Sequence, residues 1–157
     1  MPEPAPLLGV RNFRVFLGRA EVGFCHVEGL VSESLIDELS GERVERWTPV
    51  VLRRALGTDR TLFEWRERAA GGRPYPRDVG LDQLDTAGER CVNTFVLNGA
   101  WPTRWSGPVF DAVSDGIALE ELELSYERLL WMKEPGSRTS GRGTAKQRSR
   151  GIDGRSA

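Results

Sequence analysis

The sequence predicts a mainly β domain with a single helix. Period-two alternation of apolar and polar residues recurs between residues 11 and 130. One segment alone, near residues 58–72, combines helical spacing with a start and a stop signal. The 157 residues are 39% hydrophobic and 29% charged, enough apolar material for one real core in one domain.

Residues 11–17 open the pattern, with Phe13, Val15 and Leu17 on one face and Asn12 and Arg14 on the other. Gly18-Arg19-Ala20-Glu21 is suited to a turn, and the Val, Phe and Cys content of 22–31 predicts a second strand, making a hairpin. Gly23 and Gly29 mark a bulge or a close backbone approach in that run. Leu35-Ile36-Asp37-Glu38-Leu39 is ambiguous, and the charged stretch from Glu42 to Arg46 follows. Trp47-Thr48-Pro49 then leads into a strand over 50–56 that begins after its proline.

Thr58 or Asp59 can accept a bond from an orphan amide of a first helical turn. Leu62, Trp65 and Ala69 follow at helical spacing, and Gly71-Gly72 stops the helix. Strands are expected again at 79–84, with a turn at Asp85-Thr86-Ala87-Gly88, and at 91–98, where both faces are partly apolar. The longest candidate is 117–130. Leu122, Leu124 and Tyr126 alternate with Glu121, Glu123, Ser125 and Glu127, which predicts a half-buried strand with an acidic outer face. Ile117 and Leu119 have the opposite parity, and that switch predicts a bulge near Leu119-Glu120. Residues 98–108 read NGAWPTRWSGP, and Pro102 argues for an irregular connection anchored by Trp101 and Trp105.

That last segment resembles the N-A-W-P-x-K/R-W-x-G-P pattern of the T4-type tail tube family of phages and contractile injection systems, with Gly99 as one extra residue. Other pieces follow in the family's order. They are Asn12-Phe13-Arg14-Val15, the G-F-x-x-V-x-G-L-like run from Gly23 to Leu30, Asp59 to Trp65, and Ile117 to Leu124 with Glu127. The resemblance covers about residues 11–130. It implies a small antiparallel β-barrel or sandwich with one flanking α-helix, residues 11–132, between an N-terminal arm (1–10) and a tail (133–157). It further implies hexameric rings that stack into a tube around a lumen for protein or DNA cargo. Sheath, baseplate and tube-cap proteins of the same particle are the implied partners. Assembly in the cytoplasm into a virion or injection particle is the implied setting. The family's Pro-Gly-Leu element before the third strand is absent, and 40–49 is short and charged, which allows a tube-initiating or baseplate adaptor paralogue.

From the resemblance and the alternation together, Glu121, Glu123 and Glu127 are candidate lumen-facing residues. An acidic lumen would repel acidic cargo and limit sticking. Trp65, Trp101 and Trp105 are candidate core anchors. Glu42, Arg43, Glu45, Arg46 and Trp47 form a candidate loop between subunits or rings. Strand edges left open in a small domain would be closed by ring formation.

The remaining composition narrows the function classes. No apolar run approaches a membrane-spanning length, and Met1 to Pro6 lacks the charge and apolar run of a secretory signal. Cys25 and Cys91 make no disulfide framework. Cys25 and His26, neighbours on a predicted strand, point to opposite faces and do not suit one metal. No cofactor, metal site or catalysis is expected, and no nucleophile or phosphate-binding motif is present. Residues 133–157 carry seven basic and two acidic groups, net +5, with Ile152 the one large aliphatic. They are expected to be disordered. A reading from a different class follows: a monomeric binding module that engages nucleic acid or an acidic partner through this tail.

Overall fold

The computed structural model describes residues 7–72 and 75–132. The first six residues of the arm and the tail expected to be disordered lie outside the described residues. Ten strands and one helix follow in order: β1 (Phe13–Leu17), β2 (Ala20–Val22), β3 (His26–Glu28), β4 (Ser32–Ile36), β5 (Arg43–Trp47), β6 (Val50–Ala55), α1 (Thr61–Ala70), β7 (Arg77–Leu84), β8 (Cys91–Ser106), β9 (Leu119–Ser125) and β10 (Arg128–Met132). All pairings are antiparallel. The main sheet runs β2-β1-β7-β8-β9-β6-β3, with β10 also on β8, and β4-β5 form a separate hairpin. The sheet is open, its ends at β2 and β3, so the architecture is sandwich-like rather than a closed barrel.

β8 joins the two layers. Its first half pairs with β7 and β10, and its second half pairs with β9. β9 and β10 lie along one edge of β8 in a single register, since Trp101 faces Ser125 and Asn98 faces Arg128. Both strands turn a corner together where Gly99 has φ +61°. That left-handed conformation favours glycine, and the Glu127 side chain packs on the bare Cα, 3.0 Å from where a Cβ would stand. The extra Gly99 of the sequence motif is therefore the residue that bends the long strand. Val15, Leu17, Val79 and Leu97 of one layer meet Val50, Leu52, Leu122 and Leu124 of the other in the core.

Five expectations need correction. The run 117–130 is not one strand: β9 ends at Ser125 and β10 begins at Arg128, parted at Tyr126-Glu127. The run 22–31 is not one strand: it breaks at Gly23–Cys25, β2 completes the hairpin with β1, and β3 crosses to pair with β6. Residues 99–106 are not an irregular connection but the second half of β8. Pro102 is tolerated because the ladder to β7 ends at Ala100, leaving one edge of β8 without a described partner there. The bulge falls on β8, between Pro102 and Arg104, and not at Leu119-Glu120, where the β6–β9 register is continuous. Finally, 43–47 is a strand rather than a loop.

The helix begins as the sequence suggests, with a shift of role. Arg60 occupies the cap position and has no side-chain cap bond. Asp59, one residue earlier, accepts a bond from the Thr61 amide at 3.0 Å. The Thr61 hydroxyl and then its amide hold the Asp59 carboxyl below the ordinary carboxylate range. A group with a depressed folded value stabilises above its unfolded value and loses that stabilisation as pH falls through the folded one. The stability difference between the native chain and Asp59→Asn should thus be full above about pH 4 and shrink below it, read by urea denaturation across pH. A difference independent of pH would exclude this role for Asp59.

Candidate assembly surface

The candidate residues fall on three parts of the fold. The first is the outer face of β3, β6, β9 and the second half of β8. Cross-strand partners share a face: Glu123 stands opposite Arg104 and Val51, and Glu121 opposite Ser106 and Arg53. Arg53 in turn faces His26. Arg53 Nε donates to Glu121 Oε2 at 2.6 Å, and its Nη2 reaches Glu28 Oε1 at 3.5 Å. The bond from Arg53 to Glu121 raises the arginine's pKa further. The face is thus mixed in charge and not simply acidic, because β6 and β8 bring arginines to the glutamates of β9. Glu121 and Glu123 share it, and the Thr103 hydroxyl donates to Glu123. Glu127 does not share it, since it sits at the Gly99 corner beyond the end of β9.

The second part is the end of the sandwich beneath α1. Trp65 is buried in the core, and its indole N–H donates to the Tyr75 carbonyl at 2.7 Å. Arg77 stacks over both rings, 5.3 Å from each centroid. Trp105 is half-buried against the core, edge-on to Phe63, and donates to Glu120 Oε2 at 2.9 Å. Trp101 departs from its expected role as an anchor. It pairs opposite Ser125 on the outer face and is not among the core residues, because the alternation turns Pro102 inward instead.

Glu120 was not singled out by the sequence. It is 2% exposed and forms an ion pair with Arg54, which also reaches Asp59 Oδ2 at 3.3 Å. One buried carboxylate therefore ties β9, β6, β8 and the start of the helix together. Its parity with Leu122 and Leu124 was the available signal.

The third part is the β4–β5 hairpin. Glu42 lies in its turn, and Arg43, Glu45, Arg46 and Trp47 lie on β5. Asp37 shapes the turn by accepting from the amides of Leu39 and Ser40, which lowers its pKa. Glu33 faces Arg46, and Ser34 donates to Glu45. Every residue of β4 is exposed. Trp47 ties the base of this arm to the body, packing against Tyr126, whose hydroxyl donates to the Thr48 carbonyl at 2.7 Å. Burial pushes the Tyr126 phenol up.

Among the described residues no group of three or more His, Cys, Asp or Glu is placed to hold a metal ion. No helix among them is long and apolar enough to cross a membrane. Cys25 is exposed, its thiol donating to the Arg53 carbonyl, and Cys91 is half-buried beside Thr94.

The described residues form an open antiparallel sandwich with a projecting arm and a mixed-charge face. The comparisons agree. The family model described as T4-like virus tail tube protein gp19 matches residues 11–130, and the chain belongs to that family. It is similar to a chain of the PVC sheath–tube complex in the extended state, an extracellular contractile injection system. The identity is 24%, 83% of this chain and 93% of that one are covered, and the TM-score is 0.65. It is similar to a chain of the PVC sheath/tube terminator, at 25% identity over 83% and 99% of the two chains, TM-score 0.65. The anti-feeding prophage tube terminating cap gives 20% identity over 82% and 93%, TM-score 0.67. At these low identities the likeness is one of fold. No curated protein matches significantly.

Proposed function

We infer that the chain forms hexameric rings that stack into a tube with a central lumen through which protein or DNA cargo passes. The observation that carries this reading is the family match across residues 11–130. The open sheet supports it. β2 and β3 are short end strands of three residues each, and joining them to neighbouring copies would satisfy their free edges. The arm supports it too. An isolated two-stranded hairpin is marginally stable in water, so one that is exposed beyond its base at Trp47 gains order from a neighbour. Arg43, Glu45 and Arg46 on that arm would make the contacts between subunits or rings.

The face bearing Glu121 and Glu123 is the proposed lumen wall, with Glu127 at its margin. Its interleaved Arg53 and Arg104 make it close to balanced in charge, which disfavours tight capture of either acidic or basic cargo. Sheath, baseplate and cap proteins of one particle are the proposed partners, with assembly in the cytoplasm before incorporation. A tube-initiating ring is the nearest variant of this reading. Its signal is the short segment before β6.

A second reading rests on the net +5 of residues 133–157: a monomer that binds nucleic acid through that tail. Native mass spectrometry of the full chain and of a chain ending at Met132 separates the two. Hexamers from both support the ring subunit. Monomers whose nucleic-acid binding is steeply salt-dependent and vanishes with the tail support the second reading.

A further inference from the structure

Two exposed apolar segments lie at opposite ends of β8. One precedes β1: Leu7 and Val10 are 96% and 90% exposed, and Arg11 follows them, also exposed. Gln83 holds this segment at the β7 end by donating to the Gly9 carbonyl at 2.9 Å. Asn12 fixes its base by donating to the carbonyls of Asp85 and Thr86, in the turn just before β8. The other segment is the loop 107–118 that leaves β8 at its far end. There Val109, Phe110 and Val113 are 94%, 86% and 92% exposed, and Asp111 and Asp115 are exposed beside them. The loop contains no basic residue. With Leu119, Arg53 and Glu121 it borders a concavity of about 450 Å³.

The 16 residues of β8 give a contour of roughly 50 Å between the two segments. Within one copy they stand at opposite ends of the same strand. Between copies they are complementary: one is apolar and basic, the other apolar, concave and acidic. The turn beside the first segment adds Glu89 and Arg90, which offset each other. A patch that fits a different patch on an identical molecule makes a head-to-tail contact, and such contacts propagate rather than close on a two-fold.

We propose that residues 7–11 of one copy dock into the 107–118 loop of the next copy, with Leu7 and Val10 against Val109 and Phe110 and Arg11 against Asp111 and Asp115. This is a contact between successive layers. It rests on the ring-and-stack reading and assigns it a specific axial junction. It also gives the tube a direction, because the two ends of each layer differ.

The test uses the full chain and two readouts. The first is negative-stain microscopy of the native chain, Arg11→Glu, Asp111→Arg and the combined Arg11→Glu/Asp111→Arg. Each single charge reversal should leave rings intact but raise the concentration needed for stacking at least tenfold, and the combination should restore stacking. Stacks of native length from both single variants would overturn the proposal. The second readout does not need rings. Copies carrying Val10→Cys alone are mixed with copies carrying Val109→Cys alone, with Cys25 and Cys91 replaced by serine throughout. Oxidation should give mixed disulfides between the two kinds of copy in excess of like-with-like pairs. A native chain that forms no rings yet gives these mixed disulfides would sink the ring reading and keep the junction. Rings without mixed disulfides would do the reverse.

Discussion

Glu120→Ala is expected to destabilise the domain by about 3–5 kcal/mol, the usual consequence of stranding one partner of a buried ion pair. Glu120 is 2% exposed, so its carboxylate is reached by protein donors rather than by bulk solvent. Arg54, itself only 12% exposed at its side chain, would lose its buried partner and keep only the exposed Asp59 carboxylate. The Trp105 indole N–H would lose its acceptor, and the link from β9 through Arg54 to Asp59 at the helix start would be cut. Glu120→Gln should cost less, because the amide oxygen still accepts from Trp105. Urea denaturation of the three chains gives the comparison. An alanine variant within 1 kcal/mol of the native chain, the range of exposed ion pairs, would show that the pair is not buried in solution.

Gly29→Ala should be comparably damaging, for a backbone reason. Gly29 has φ +101°, a conformation that side-chain-bearing residues rarely adopt. A Cβ there would stand 2.5 Å from the Pro49 carbonyl oxygen and 3.3 Å from Val50 Cα. The obstacle is backbone at the start of β6, so no side-chain rotation relieves it. The conformational term alone is about 1–3 kcal/mol, and the clash adds to it by prising β3 from β6. Loss of stability should be accompanied by faster hydrogen exchange at the amides of β3 and β6. A fully stable alanine variant would contradict the close approach.

These two residues also show what the sequence revealed. Some elements were legible because each had a local signal. Alternation marked β1 and β9, helical spacing marked α1, and the Gly71-Gly72 pair marked its end. Gly29 was legible as a bulge or a close approach, and its partner was not legible, since Pro49 lies twenty residues away and only the fold brings them together. Three things stayed hidden. The span of β8 through Pro102 was obscured because a proline argues against a strand unless an edge is free, and edges are a property of topology. The hairpin of β4 and β5 was obscured because its apolar residues are split between two faces, Leu35 and Val44 on one and Ile36 and Trp47 on the other, so period-two patterning marks no single buried face. The mixed charge of the outer face was obscured because Arg53 and Arg104 come from other strands than the glutamates they oppose.

The direct test of the central claim is negative-stain electron microscopy of the purified full chain across a concentration series. Rings with a central opening, stacking into hollow tubes as concentration rises, are the expected result. A monodisperse monomer at every concentration would contradict the assignment of this chain as a self-assembling tube subunit.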